Sequence, residues 1–241
     1  MNYVLLVTGT VYPDVNMPYL CIKNSEERLK QYKESLLWFI KKTKVSHIVF
    51  CDNSLCPYEE FKEISEQAVF EGKQFEYLTF AANNDMMLKR GKGFGEGEII
   101  QYVLKNSHLI KNEDYFVKVT GRLKIKNIDK IIKSLCPNTF YINMFNKERV
   151  DTRIYAIPKS MYIHHFENIY KKVNDKKGYY LEHVFTDVIQ SETIYCKNFR
   201  FYPQIIGVSG STGKIYDTNI LKSFLKDCMS LINYYGYKNR G

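Results

Sequence analysis

Apolar segments with the periodicity of strands and of helices alternate over residues 4–80, and this alternation constrains the fold more than any other feature. Strands are predicted at 4–8, 47–51 and 75–80, with helices between them at 25–40 and 57–68. Ser25 stands where it can cap the first helix. Because a strand, a helix and a parallel strand form a right-handed crossover, the order βαβαβ predicts a mostly parallel sheet.

The same alternation continues along the rest of the chain. Asn127 is the predicted cap of a helix at 128–135, and a glycine-containing segment leads into a helix at 96–104. Further strands are predicted at 115–119, 140–145, 153–157 and 199–202, and further helices at 159–172, 179–189 and 220–232. A chain of 241 residues can bury one large core, so we predict a single α/β domain with helices flanking the sheet.

Composition and charge restrict the location and the partners. The sequence has no uninterrupted apolar run of about eighteen residues, no basic segment before its first apolar run, and six cysteines without CxxC spacing. These features predict a soluble or peripheral protein in a reducing cytoplasm. The net charge of +9 is compatible with a polyanion, an anionic membrane, phosphate pockets or solubility alone.

Polar side chains follow the first two predicted strands, where open α/β sheets bind ligands. Thr8 and Gly9 end the first strand, and Asp52, Asn53 and Ser54 follow the second. An acidic or amide side chain can accept hydrogen bonds from a base or a ribose, so we expect these residues at a nucleotide site. The alternative for residues 52–54 is a turn that caps the next helix.

Residues 89–96 combine three cations with three glycines directly before a predicted helix. Glycines allow close backbone approach, helix-start amides point outward and cations supply countercharge, which together suit a diphosphate. The segment is not a P-loop, because Glu96 and Gly97 stand where lysine and serine or threonine are required. We expect Lys89, Lys92, Gly93 and Glu96 at a phosphate site, with a flexible surface loop as the alternative.

A second pair of cations brackets the end of the predicted strand at 115–119. Lys118 and Arg122 enclose Thr120 and Gly121, and buried cations are costly unless an anion meets them. The four residues therefore predict the second part of a phosphate site. A structural salt bridge is the alternative.

Carboxylates for acid–base chemistry occur later in the sequence. Glu182 opens a predicted helix, where it can deprotonate an acceptor hydroxyl as a general base. Asp151, close to Arg153 in a charged connection, can do the same or hold a cation. Solvated caps are the alternative for both carboxylates.

Small donors fill the loop at 209–213, where Ser209 and Ser211 are expected to close over a bound nucleotide. The histidines show no HxH or HExxH spacing, and no metal site is predicted from them.

Taken in order, these motifs resemble a group of bacterial glycosyltransferases of capsule and lipopolysaccharide synthesis with a GT-A-like nucleotide-sugar fold. The resemblance spans most of the chain and rests on Arg28, Gln31-Tyr32, Ser35-Leu36, Asp52-Asn53-Ser54, the segments 91–96 and 118–122, and Ser209-Gly210-Ser211-Thr212-Gly213. It implies one Rossmann-like, GT-A-type domain over 1–241, with a nucleotide-binding half (1–125), an acceptor and catalytic half (126–215) and a C-terminal helix (216–241).

The resemblance also implies a nucleotide-sugar donor and a glycan or lipid-linked glycan acceptor. Donor contacts are expected from the strand-end and glycine-segment residues above and from Arg28 and Arg153, with Glu182 as the preferred acceptor base and Asp151 as the second choice. GT-A enzymes usually carry an Asp-x-Asp metal motif where this sequence has Thr120-Gly121-Arg122. We therefore predict no cofactor, with Lys92, Lys118 and a catalytic Arg122 neutralising the diphosphate and Mg²⁺ or Mn²⁺ as the alternative.

Two other functions stay open at this point. A sugar-phosphate nucleotidyltransferase uses a similar sheet but needs carboxylate-bound magnesium, and no matched carboxylate pair is evident. A nucleic-acid-binding module would use the +9 charge and the 15% aromatic content, yet most aromatic residues fall on predicted core faces.

The C-terminal helix is predicted to pack on the core through its apolar residues. Its lysines, Lys222 and Lys226, together with Lys238 and Arg240, support the alternative of an anionic membrane surface.

Overall fold

A seven-stranded sheet forms the centre of the computed structural model, which describes residues 3–17, 20–146, 148–210 and 212–236. The strand order is β3-β2-β1-β4-β7-β6-β8, and β7 runs antiparallel to its two neighbours while the other strands are parallel. The strands are β1 (Val4–Gly9), β2 (His47–Asp52), β3 (Gln74–Thr79), β4 (Tyr115–Thr120), β6 (Phe140–Met144), β7 (Val150–Pro158) and β8 (Cys196–Lys197). The predicted α/β fold with a mostly parallel sheet is confirmed.

Helices cover both faces of this sheet. Successive side chains of a strand point to opposite faces, so Leu5 and Val7 of β1 join one apolar cluster and Val4 and Leu6 join the other. The first cluster packs against α1 (Ser25–Lys42), α2 (Lys62–Phe70) and α6 (Ile128–Lys133). The second packs against α4 (Lys92–Asn106) and α8 (Leu181–Ser191).

Smaller elements complete the fold. A second sheet has the order β10-β9-β5, and all its pairs are antiparallel. Its strands are β5 (Leu123–Ile125), β9 (Ile205–Val208) and β10 (Ile215–Tyr216), and the remaining helices are α3 (Asn84–Arg90), α5 (His108–Lys111), α7 (Lys159–Met161) and α9 (Ile220–Leu231). No helix within the described ranges is long and apolar enough to cross a membrane.

The glycine-containing segment differs from the predicted loop. Gly91, with φ of 106°, is the single residue between α3 and α4, so Gly93 and Glu96 lie inside a helix. A Cβ at Gly95 would lie 2.7 Å from Met87 Cε, and one at Gly97 would overlap the Tyr170 side chain. These two glycines therefore permit close packing against α4. The sequence had predicted a phosphate-binding loop for this segment, and the structure shows a helix.

Local hydrogen bonds explain other differences. Asn24 caps α1 by accepting from Glu27 N (2.8 Å), in place of Ser25. Asn127 occupies the N-cap position of α6 as predicted, but its side chain makes no capping bond; it donates to Tyr202 O (3.0 Å) and accepts from Gln204 N (2.9 Å). These bonds hold the segment at 199–202, which was predicted as a strand, in an irregular conformation ahead of β9.

Two helices also depart from the prediction. The predicted helix at 159–172 is divided into α7, a π-helical turn at Tyr162–Phe166 and a 3₁₀ turn at Ile169–Lys172. Helix α9 forms as predicted, but Leu221, Phe224 and Leu225 are exposed instead of packing on the core.

Candidate functional site

A cavity of about 510 Å³ opens at the carboxyl ends of β1 and β4. The chain places β2 and β3 on one side of β1 and β4 on its other side, so the direction in which strands are added changes between β1 and β4. Open α/β sheets bind ligands at such switch points. Thr8 and Gly9 from the end of β1 line the cavity, as do Thr120 and Arg122 from the end of β4. The volume suits a small-molecule ligand.

Charged side chains from distant parts of the sequence line this cavity. Among the described residues the cations are Arg28, Lys92, Arg122, Arg149 and Arg153, and the carboxylates are Glu96, Asp151, Asp175 and Glu182. The structure thus brings Glu182, Asp151, Arg122, Arg28, Lys92, Gly93, Glu96, Arg153 and Ser209 of the predicted site to one cavity. Ser211 lies outside the described residues.

Arg28 holds the loop that follows β1. Its Nε donates to Thr10 O at 2.9 Å, Nη2 donates to the same carbonyl, and Nη1 donates to Ile22 O at 3.3 Å. Most of its donors are therefore used by backbone carbonyls. Arg28 contributes positive charge to the cavity while fixing its rim.

Arg122 is held against the cavity by neighbours on two sides. Only 7% of the residue is exposed, and its Nη1 donates to Gln31 Oε1 at 3.1 Å. The guanidinium carbon lies 5.9 Å from the centroid of the Tyr32 ring. A Cβ at Gly210 would overlap Arg122 Nη2, so the glycine in the β9–β10 hairpin allows this loop to lie on the guanidinium.

Lys92, the first residue of α4, carries a perturbed ammonium. Burial lowers its pKa to about 8, with nearby Asp175 acting in the opposite direction and Arg28 and Arg122 lowering it further. Two arginines and the Asp175 carboxylate therefore all lie close enough to Lys92 to affect its ammonium group. An anionic ligand bound beside Lys92 would favour its charged form.

Asp175 was not predicted from the sequence. It is almost fully buried, accepts from Gly93 N at 3.4 Å and lines the cavity beside Lys92. Burial raises the pKa of its carboxyl group. The residue lies in a 3₁₀ turn, Asp175–Lys177, and no strand end or motif marks it in the sequence.

Lys118 is engaged inside the protein and does not line the cavity. The side chain is fully buried, and its Nζ forms an ion pair with Glu96 and donates to Thr152 O (2.8 Å) and Thr120 Oγ1 (3.2 Å). This arrangement corresponds to the salt-bridge alternative and differs from the phosphate contact expected for Lys118. Glu96, in contrast, lies on the cavity wall.

Asp52, Asn53 and Ser54, at the carboxyl end of β2, have different surroundings. Asp52 is fully buried away from the cavity and accepts from Val11 N (2.7 Å), Ser54 N (2.8 Å) and Cys56 N (3.0 Å). The Asp52 carboxylate thus holds the backbone turns after β1 and after β2 by accepting from their N–H groups, and it does not contact the cavity. Asn53 and Ser54 line a smaller cavity of about 220 Å³ that shares Thr10 with the larger one.

Two further predicted donor contacts lie off the cavity wall. Lys89 is exposed on α3 and does not line the cavity. Gly121 N donates to Thr8 O at 2.9 Å, and a Cβ at this position would crowd that carbonyl. Gly121 therefore lets the ends of β1 and β4 approach each other.

Glu182 lies in the first turn of α8 and faces the cavity. Thr152 Oγ1 donates to Glu182 Oε1 at 3.1 Å. Burial raises the pKa of the Glu182 carboxyl, and the nearby charges of Glu96 and Asp151 raise it further. A carboxylate with a raised pKa is suited to proton transfer near neutral pH.

Asp151 belongs to β7 and is paired with a residue of the same strand. Its Oδ1 accepts from Arg153 Nε at 2.8 Å and its Oδ2 accepts from Arg153 Nη2 at 2.6 Å. The Arg153 guanidinium lies 5.0 Å from the Tyr216 ring centroid. Both carboxylate oxygens of Asp151 are thus already committed to Arg153.

The described ranges contain no group of three or more His, Cys, Asp or Glu side chains arranged to hold a metal ion.

Comparison with known proteins identifies the fold. No family model matches the sequence, and no curated protein matches it. A candidate nucleotide-diphospho-sugar transferase from Desulfovibrio desulfuricans G20 is similar in structure, with a TM-score of 0.50 and 9% identity over 82% of this chain and 79% of the other.

Two other solved structures are more distant. A cytidylyltransferase from Leptospira borgpetersenii serovar Hardjo-bovis has a TM-score of 0.45 and 14% identity over 95% of this chain and 86% of its own. Mouse xyloside xylosyltransferase 1 has a TM-score of 0.34 and 11% identity over 80% of this chain and 76% of its own. At such identities the likeness to the Desulfovibrio protein concerns the fold alone, and that likeness supports the GT-A-like α/β fold that the resemblance of the motifs implied.

Proposed function

We propose that the protein is a glycosyltransferase that moves a sugar from a nucleotide-sugar donor to a hydroxyl of a glycan or lipid-linked glycan. The observation that carries the proposal is one cavity in which Lys92 and Arg122 are joined by Glu182, a carboxylate with a raised pKa. The cations suit a diphosphate and the carboxylate suits deprotonation of a hydroxyl. From the resemblance to glycosyltransferases of capsule and lipopolysaccharide synthesis, we propose that the reaction serves cell-surface polysaccharide synthesis at the cytoplasmic face of the membrane.

The diphosphate is assigned to Lys92 and Arg122. Both line the cavity, and they are close enough for the charge of Arg122 to lower the pKa of Lys92. Lys118 is left out of this pair because Glu96 already neutralises it. Fixed positive charge can stabilise the departing nucleoside diphosphate, so we propose that transfer needs no divalent metal.

Glu182 is assigned as the acceptor base in preference to Asp151. A general base must bind a proton during the reaction, and both oxygens of Asp151 are held by the Arg153 guanidinium. Glu182 accepts one hydrogen bond from Thr152 and faces the cavity. Asp151 then acts by positioning Arg153 on the cavity wall.

The nucleoside is assigned to the smaller cavity. Asn53 Oδ1 accepts from Thr10 Oγ1 at 2.6 Å, and Thr10 lines both cavities. A nucleoside bound beside Asn53 and Ser54 would direct its diphosphate toward the cations of the larger cavity. Asp52 supports this arrangement indirectly, through the turns that it holds.

A thermal-shift screen in the presence of a metal chelator tests the function. A ligand that binds only the folded state at about 100 times its Kd stabilises it by about 2.7 kcal/mol. We expect a sugar nucleotide or its nucleoside diphosphate to raise Tm, and the matching nucleoside and sugar phosphate to raise it much less. Sugar transfer by the best donor should then be measured with and without chelator.

Other outcomes of this screen point to other functions. A shift seen only with a nucleoside triphosphate and Mg²⁺, followed by release of pyrophosphate, would indicate a nucleotidyltransferase. A salt-dependent response to single-stranded nucleic acid, without one to sugar nucleotides, would indicate a nucleic-acid-binding module. Transfer abolished by chelator and restored by Mn²⁺ would overturn the metal-free assignment alone.

The pH dependence of kcat/KM should be bell-shaped, with its alkaline limb near pH 8. Above the Lys92 pKa of about 8 the ammonium loses its proton and charge, so donor binding weakens. Lys92→Arg keeps the charge at high pH and should move the alkaline limb upward. Initial rates at subsaturating donor measure this profile.

The acid limb and a control complete the pH experiment. Below the raised pKa of Glu182 the carboxyl is protonated and cannot accept a proton, so the rate falls with pH. Lys89→Arg changes an exposed cation outside the cavity and should leave both limbs in place. An alkaline limb that stays at the same pH in Lys92→Arg would exclude Lys92 as its source.

A further inference from the structure

Helix α9 (Ile220–Leu231) is attached to the body of the protein by its polar side. Asp227 Oδ1 accepts from Tyr202 N at 2.8 Å, and Ser230 O accepts from Asn198 Nδ2 at 2.8 Å. Lys226 Nζ lies 4.2 Å from the centroid of the Tyr202 ring. The helix therefore uses hydrogen bonds and a cation–π contact where most surface helices use apolar side chains.

The apolar side of α9 faces outward. Leu221, Phe224 and Leu225 are 75%, 67% and 61% exposed, and Leu231 and Ile232 are exposed as well. At 100° per residue these positions fall on one side of the helix. An exposed apolar face of this size marks a surface that another structure covers.

The charges beside this face indicate what covers it. Lys222 and Lys226 are exposed and lie four residues apart on one flank of the apolar side. The helix has one acidic residue, Asp227, and that side chain is turned inward to Tyr202. The outward surface is thus apolar and cationic, and the whole chain carries a net charge of +9.

We propose that α9 docks the protein on an anionic lipid surface. An apolar face flanked by lysines is the pattern of a helix that lies in the membrane interface. Twelve residues make a helix of about 18 Å, shorter than the roughly 30 Å hydrocarbon core, so it lies along the bilayer. Phe224 and Leu225 enter the acyl region, and Lys222 contacts the anionic head groups.

The docking helix lies beside the cavity. Tyr202, which α9 contacts, has a pKa raised to about 12 by burial and by nearby Asp151, and Arg153 acts on it in the opposite direction. Asp151 and Arg153 both line the cavity, so the helix contacts a residue next to the cavity wall. Where the proposed function holds, docking would present a lipid-linked acceptor at this edge; the docking itself does not depend on the reaction.

Co-sedimentation with vesicles tests the docking. Wild-type protein should bind vesicles of equal parts phosphatidylglycerol and phosphatidylcholine, and bind pure phosphatidylcholine far more weakly. Phe224→Glu should weaken binding roughly tenfold or more, since a buried aromatic contact is replaced by a charge that anionic lipid repels. Lys222→Gln should weaken it about fivefold, and only on anionic vesicles.

Matched controls distinguish lipid docking from self-association and from a general effect of added charge. Phe70→Glu alters an 84% exposed phenylalanine on α2 and should bind vesicles as the wild type does. Equal vesicle binding by Phe224→Glu and wild type would overturn the proposal. A wild-type dimer that does not bind vesicles and that Phe224→Glu dissociates would also overturn it, because a second copy of the chain would then cover the apolar face. If Phe224→Glu loses vesicle binding but keeps the donor-induced rise in Tm, lipid docking and donor binding are separate properties, and failure of one proposal does not affect the other.

Discussion

Replacing Glu182 with glutamine should lower kcat for sugar transfer by about 10²–10⁴-fold, the contribution typical of a general base. Glutamine keeps the size and hydrogen-bonding capacity of the side chain, so Thr152 Oγ1 retains an acceptor. Donor affinity should change little, because the diphosphate is assigned to Lys92 and Arg122. Steady-state kinetics, with donor Kd measured by calorimetry, would separate the two quantities.

A matched control for Glu182→Gln is available on α4. Burial raises the pKa of Glu98 as it does that of Glu182, yet Glu98 does not line the cavity. Glu98→Gln should therefore keep near-normal kcat. A Glu182→Gln enzyme with normal kcat and an unchanged acid limb would show that another group is the base. Asp151 would be that base only if Asp151→Asn both lowers kcat strongly and removes the acid limb, because loss of the Arg153 pair alone would leave that limb in place.

The fold was predictable because its central strands, such as β1, β2 and β4, are buried on both faces. Every residue of β1 and nearly every residue of β2 is buried, so these segments are almost continuously apolar in the sequence. The polar residues that follow them stand out for the same reason. Thr8, Gly9 and Thr120 could thus be assigned to a sheet edge before any contact was known.

The role of each charged residue was harder to predict, because pairing depends on tertiary contacts. Lys118 and Glu96 are separated by 22 residues and belong to a strand and a helix that meet only in the folded chain. Sequence alone shows a buried lysine that needs an anion, and both a ligand phosphate and a protein carboxylate satisfy that need. Asp175 was missed because its approach to Gly93 crosses 82 residues of sequence.

Glycine and amphipathic patterns have a similar ambiguity. Glycines at 91, 93 and 95 suit a phosphate loop, but glycines in such a segment also suit a closely packed helix. In the structure residues 92–106 are helical, and Met87 and Tyr170 pack against Gly95 and Gly97. In α9 the periodicity shows that one side is apolar, but it does not show which side meets the protein. The hydrogen bond from Tyr202 N to Asp227 fixes that orientation, and it could not be predicted from periodicity.

Cations and carboxylates lie together on the wall of the cavity. Lys92 and Arg122 line it with Thr8 and Thr120 near the switch point, and Glu182 lies in the first turn of α8, which packs on the same face of the sheet as α4. Burial is the main cause that raises the pKa of Glu182 and lowers that of Lys92. Under the proposed function, this combination favours a ligand with an anionic part and a neutral hydroxyl part.

Replacing Arg122 with alanine should lower kcat/KM for the donor by well over tenfold. Hydrogen bonds to charged groups contribute about 1.5–3 kcal/mol each, which corresponds to roughly 10- to 150-fold. If Arg122 also stabilises the charge that develops on the leaving diphosphate, kcat falls together with donor affinity. Arg122→Lys should recover part of the loss, since an ammonium keeps the charge but lacks the planar fork of donors.

Stability and a matched cation distinguish this role from a structural one. Arg122 stacks near Tyr32 and supports the β9–β10 hairpin, so Arg122→Ala needs a melting curve without ligand as well as kinetics. Lys124→Ala removes a neighbouring cation whose partner is Glu34, outside the cavity, and should leave kcat/KM unchanged. If Arg122→Ala keeps the wild-type Tm, the donor-induced rise in Tm and a near-normal rate, Arg122 is not part of the site. If the Tm without ligand is unchanged but the donor-induced rise is lost, Arg122 binds the diphosphate.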